Sequence, residues 1–99
     1  MAAKEDLAPL IDDVAAGMNS NEFTTYAFMR AFARHHEKAF VKALHENLEH
    51  PAGPFGALRE IFEQLLEASA RAALLRDGAR DMDLFDLPGT AKLWQKKAG

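Results

Sequence analysis

The segment "PAGPFG", Pro51 to Gly56, constrains this chain more than any other. Two prolines and two glycines in six residues continue neither a helix nor a strand, so one element ends before Pro51 and another starts near Pro54. Beyond the break, Phe55, Leu58, Phe62, Leu65, Ser69 and Ala72 recur at helical spacing, and Ile61, Leu66, Ala68, Ala73 and Leu75 widen the same apolar stripe. Pro54 suits the first turn of a helix and Gly78 the position just past its end. Arg71 and Arg76 complement the negative end of the helix dipole. The pattern predicts one long helix over residues 54–76. The small residues of "EASARAALL" within it admit the close approach of a neighbouring helix.

Upstream, Leu7, Leu10, Ile11, Val14 and Met18 lie at helical spacing, with Asp6 as cap and Gly17 as stop. They predict a first helix over residues 7–17 with Pro9 in its opening turn. Thr24 is an N-cap for the next helix, and Phe23 and Phe28 stand where a hydrophobic staple requires them. From Phe28, large side chains recur every four positions through Phe32, His36, Phe40, Leu44 and Leu48. A straight helix turns about 100° per residue, so such a ladder drifts by about 40° per step and leaves any single packing face. A break near "ARHHEK", giving two helices of about 10 and 14 residues, is preferred over one long helix. The last third, "DMDLFDLPGTAKLWQKKAG", reads as a turn and a short terminal helix capped by Asp86, with Pro88 in its first turn. Leu84, Phe85, Leu87, Leu93 and Trp94 are expected to fold back over the core. No run of Val, Ile, Thr or aromatic residues alternates as a half-buried strand does. The expectation is a single all-α domain over residues 1–99, a compact bundle of four to five helices with frayed ends at 1–5 and 96–99.

Composition narrows the chemistry. The chain has no cysteine, which excludes disulfides, thiolate metal sites and a thiol nucleophile and favours a reducing, cytoplasmic setting. "MAAKEDLAPLIDD" lacks the apolar core of a signal peptide, and no apolar run reaches the length of a membrane span. The net charge of −3 opposes bulk binding to nucleic acid. It is unevenly spread: residues 1–70 hold 6 Lys/Arg against 11 Asp/Glu, and residues 71–99 hold 6 against 4.

"HENLEH", His45 to His50, is one letter from the H-E-x-x-H zinc signature, which needs two histidines at i and i+4 with a glutamate between them. Here Glu49 stands at the second ligand position, and His50 precedes Pro51, which draws it out of helical geometry. His45 and Glu49 are the candidate metal pair, and a solvated helix face is the preferred reading. In "RHHEK" the adjacent histidines point apart, and His36 falls in the apolar ladder as a hydrogen-bonded rim residue. Ser20 and Ser69 lack a nucleophile elbow, "GTAK" lacks phosphate-loop spacing, and the acidic pairs lie on polar helix faces. No catalytic residue and no cofactor is implied.

These readings converge on a non-enzymatic interaction or regulatory module that binds a protein partner, or a second copy of itself, through an apolar helical surface. Ile61, Leu65, Leu66, Leu75, Phe85 and Trp94 are the candidate surface. The alternative is a helix-turn-helix or winged-helix-like DNA-binding regulator, with Arg71, Arg76, Arg80, Lys92, Lys96 and Lys97 as phosphate contacts. It requires those cations to form one continuous positive face.

Overall fold

The computed structural model describes residues 2–97 and corrects the expected fold class. The chain is mixed α/β, with four helices and a three-stranded antiparallel sheet, not an all-α bundle. In order, the elements are α1 (Ala2–Ala16), β1 (Glu22–Thr24), α2 (Thr25–His35), α3 (Glu37–Glu46), α4 (Gly53–Ala68), β2 (Ala72–Met82) and β3 (Pro88–Lys96). Strand β3 lies between β1 and β2. Phe23 faces Trp94 across β1–β3, and Leu74 faces Trp94 across β2–β3.

The expected 54–76 helix stops at Ala68. Ser69 takes extended geometry, with φ −77° and ψ 141°. Its hydroxyl donates to Asp12 and accepts the Arg71 amide at 3.0 Å. These bonds give the backbone an alternative to another helical turn. The following "AALL" run satisfies a buried strand as well as a helix, because a short apolar run has no distinguishing period. The alternation that marks a strand is then broken twice. The register slips between Leu74 and Arg76 and again between Arg76 and Ala79, each time by one extra residue on β2. Burial along β2 accordingly shows no steady alternation: Ala72 and Ala79 are buried, and Leu74 to Gly78 between them are exposed. Gly78, read from the sequence as a helix stop, sits at φ +69° in the second irregularity.

The expected terminal helix is strand β3, entered at Pro88, where a missing amide is tolerated. The first helix begins earlier than expected, at Ala2, and carries Pro9 inside it on its exposed side. Of the ends expected to fray, Ala2–Glu5 lie in α1, and the Lys96 amide donates to the Asn21 carbonyl at 2.7 Å. Met1, Ala98 and Gly99 lie outside the described residues.

Two local readings survive into the structure. Thr24 caps α2 by accepting the Ala27 amide at 3.1 Å, and Phe23 stacks on Phe28 at 5.9 Å. The four-step ladder is cut at His36 (φ −134°, ψ 59°), so α2 and α3 each pack with their own orientation. Phe62 of α4 is the hub of the core. It meets Phe28 edge-on at 5.7 Å, Phe32 at 4.8 Å and Phe40 at 6.2 Å. Leu7 and Ile11 of α1, Leu58 and Leu66 of α4 and Trp94 of β3 close the core around these rings.

A polar chain crosses this core and ties the sheet to the helices. The Trp94 indole donates to the Thr25 hydroxyl at 2.9 Å, and that hydroxyl donates to Glu63 at 3.1 Å. Arg59 stands 3.9 Å from the same carboxylate and donates to the Tyr26 hydroxyl at 2.9 Å. Glu63, placed by its spacing on a solvated face, is therefore an internal acceptor. Its partners are Thr25 of α2, far off in sequence, and Arg59 one turn earlier on α4 itself.

Candidate interaction surface

The β2–β3 hairpin ends in a loop that one side chain organises. The Asp83 carboxylate accepts the Phe85 amide at 2.8 Å and the Leu87 amide at 3.0 Å. The Asp83 amide donates to the Leu87 carbonyl at 2.9 Å, and the Asp86 amide donates to the Asp83 carbonyl at 3.2 Å. This is the local side-chain-to-backbone bonding at which aspartate excels. Asp86 completes the turn at φ +61°, in the left-handed region. With four of the loop's backbone amides bonded internally, Leu84 packs back against the core and the neighbouring apolar side chains are exposed. Phe85 is 61% exposed, Leu87 60% and Met82 48%.

Arg30 of α2 braces the base of this loop. Its guanidinium donates to the Met82 carbonyl at 2.9 Å and lies 3.5 Å from the Asp81 carboxylate. Burial works to raise the Asp81 pKa, but the Thr24 hydroxyl, the Met82 amide and the Arg30 charge outweigh it and hold the carboxyl below its ordinary value. The cap of α2 and the start of the loop are thus joined through one carboxylate.

Between the loop, α2 and the start of α4 lies a groove of about 370 Å³, at the small end of the ligand-site range. Tyr26, Met29, Phe55, Arg59, Leu84 and Phe85 line it. Phe85 rests edge-on against Phe55 at 5.0 Å and extends the groove's wall into solvent. The Pro/Gly break builds the opposite wall. Gly53 adopts φ +80°, and a Cβ on Gly56 would lie 2.9 Å from that of Ala52, so both positions require glycine for α4 to start where it does.

The structure separates the residues proposed from the sequence. Leu65, Leu66 and Trp94 are buried in the core and present no surface. Ile61 is half-buried against the core. Leu75 is exposed on β2, away from the hairpin loop, and Phe85 alone of the six belongs to the groove. Met82, Leu84, Leu87 and Phe55 were missed. The expectation that the large apolar residues of "DMDLFDLPG" fold back over the core holds for Leu84, which packs against it, and fails for Phe85 and Leu87, which are exposed.

The cations are dispersed. Lys92 lies 3.6 Å from Asp77, and Lys96 donates to the Met18 carbonyl at 3.0 Å. Arg71, Lys96 and Lys97 sit at the open end of the hairpin, where the Lys97 backbone amide donates to the Arg71 carbonyl. Arg80 pairs with Thr90 near the closed end, about 20 Å along the strand from Lys96. Arg76 is exposed between them, at the bulge.

At "HENLEH", α3 ends at Glu46, so His45 and Glu49 do not share a continuous helix. His50 turns its imidazole back to accept the Ala52 amide at 3.0 Å, and its other nitrogen lies 3.8 Å from Glu60. Among the described residues, no group of three or more His, Cys, Asp or Glu is placed to hold a metal ion. None of the described helices is long and apolar enough to cross a membrane.

No protein-family model matches the chain, and neither a curated protein nor a solved structure shows significant similarity to it. Function is therefore read from the surface itself.

Proposed function

We propose that the protein is a cytoplasmic, non-enzymatic interaction module that binds a protein partner through the hairpin loop and the adjoining groove. One observation carries this reading: Met82 at the end of β2 and Phe85 and Leu87 in the following loop are all substantially exposed, on a turn held by four internal bonds from its backbone amides. Ordered, contiguous apolar side chains on a rigid loop favour association, since little conformational freedom is lost on binding. Burying what remains exposed of Phe85 and Leu87 would contribute about 1–2 kcal/mol each. The experiment places a photo-crosslinking benzoylphenylalanine at position 85 in the producing cell. Discrete protein adducts, absent when the same group replaces exposed Arg76, are expected. An adduct of twice the chain's mass would assign the surface to a second copy. The absence of any adduct specific to position 85 would refute the reading.

A DNA-binding regulator has one observation in its favour. The order helix, strand, helices and hairpin, with the first strand closing the sheet, is a winged-helix-like layout. The helix that precedes the hairpin, however, presents Glu60, Gln64 and Glu67 to solvent, which repels phosphate where such a layout would read a groove. A layout alone does not assign a function.

A further inference from the structure

Building on the interaction reading above, we propose that the occupant of the groove is a cationic amphipathic helix of a partner protein. Its apolar anchors would lie against Phe55, Leu84 and Phe85, and its Lys or Arg side chains against Glu60, Asp83 and Asp86. Two features of the site select this chemistry.

The first is charge. The cations at the groove are already matched: Arg59 lies 3.9 Å from Glu63 and over the Tyr26 ring at 5.8 Å, and Arg30 lies 3.5 Å from Asp81. The acids at the rim are not matched in this way. Glu60 is exposed and faces only the His50 imidazole at 3.8 Å among its described ion-pair neighbours. Asp86 is exposed at the loop's apex, and Asp83 spends its carboxylate on neutral backbone amides, so its charge stands. An apolar floor with an uncompensated acidic rim complements a segment that is apolar on one side and basic on its flanks.

The second is backbone. The loop's Asp83, Phe85, Asp86 and Leu87 amides are all bonded within the loop, and the Met82 carbonyl is held by Arg30. A partner strand adding to this edge would find these four donors already taken. Recognition must run through side chains, as in helix-in-groove binding, where anchors recur every three or four residues.

The test titrates the full chain against two fluorescently labelled peptides of about five helical turns, one built from Leu and Lys and one from Leu and Glu on the same helical pattern. Saturable binding of the Leu/Lys peptide is expected. It should weaken about tenfold or more in Phe85→Ala, and similarly in the Glu60→Lys, Asp86→Lys double variant, with circular dichroism confirming the fold of each. Leu87→Ser serves in place of Phe85→Ala if that variant misfolds. No saturable binding of the Leu/Lys peptide, or binding indifferent to the double variant, would overturn the proposal. Equal or tighter binding of the Leu/Glu peptide that is lost in Phe85→Ala would overturn the cationic chemistry and leave the interaction surface standing. Failure of position 85 to crosslink removes the surface itself. Phe85-dependent binding to phosphatidylcholine or phosphatidylserine vesicles, without peptide binding, would reassign the loop to a lipid surface and also overturn the proposal.

Discussion

Thr25→Val should be among the costliest conservative changes in the protein. The Thr25 hydroxyl is fully buried, accepts the Trp94 indole N–H at 2.9 Å and donates to Glu63 at 3.1 Å. Valine keeps the shape and removes both bonds. Trp94 is fully buried, so its N–H cannot turn to water; stranding it costs about 1–3 kcal/mol. Glu63, the charged acceptor, loses the Thr25 donor but keeps Arg59 at 3.9 Å, so this loss falls at the lower end of the range for bonds to charged groups. The sum is about 3 kcal/mol, or a fall of roughly 15 °C in melting temperature for a domain of this size. Urea denaturation followed by circular dichroism measures it. A double-mutant cycle isolates the cause: in a Trp94→Phe background there is no N–H to strand, so Thr25→Val should cost at least about 1 kcal/mol less. A Thr25→Val cost below about 0.5 kcal/mol, or costs equal in the two backgrounds, would refute the claim that this hydroxyl links the sheet to the helices.

Three further outcomes are expected. Leu87→Asp should leave the unfolding midpoint within about 0.5 kcal/mol of the parent and Phe85→Asp should cost about 1 kcal/mol through its Phe55 ring contact, whereas Leu66→Asp should cost more than about 3 kcal/mol and unfold the chain rather than dissociate a dimer; denaturant titration separates them. Gly53→Ala should cost about 1–2 kcal/mol through its φ of +80° alone, since an added Cβ meets nothing within 4 Å; an unchanged midpoint would show that the break does not need that conformation. The Asp81 pKa is lowered on folding, so its charged form contributes stability that is present above the ordinary value of 3.8 and is lost as pH falls through the lower folded value. Asp81→Asn should therefore flatten the stability profile between about pH 5 and pH 2 relative to the parent, in parallel urea titrations, and an unchanged slope would count against the Thr24–Asp81–Arg30 link.

The helical half of the fold was legible because its signals are local. A cap, a staple, a Pro/Gly break and a drifting ladder each involve neighbours within a few residues. Thr24, Phe23–Phe28, His36 and Gly53 all behave as those signals demand. The sheet was illegible because its pattern is not local. Residues 55–72 keep a helical period up to and beyond the true end at Ala68, and the two bulges in β2 erase the alternation that would have announced a strand. The same limit applies to the site. Periodicity identified Leu65 and Leu66 as lying on a packing face, but it could not say that the face packs inside the chain. Phe85 was visible as a large apolar residue in excess, whereas its outward direction depends on the Asp83 bonds that shape the loop.

The bulges also bear on where association can occur. Strand β2 is an edge strand of eleven residues carrying exposed Leu74 and Leu75, a length and composition that invite pairing with another chain. Two register slips interrupt it, with Arg76, Asp77 and Gly78 in and around them. A second strand docking there would meet a kinked ladder and two exposed charges instead of a flat row of donors and acceptors. The loop at the end of the same hairpin has the opposite character: most of its amides are bonded within it, and Phe85 and Leu87 are open to solvent. The hairpin thus disfavours indiscriminate strand addition along its edge and concentrates its exposed apolar surface at its tip, where an acidic rim adds a condition on the partner's charge.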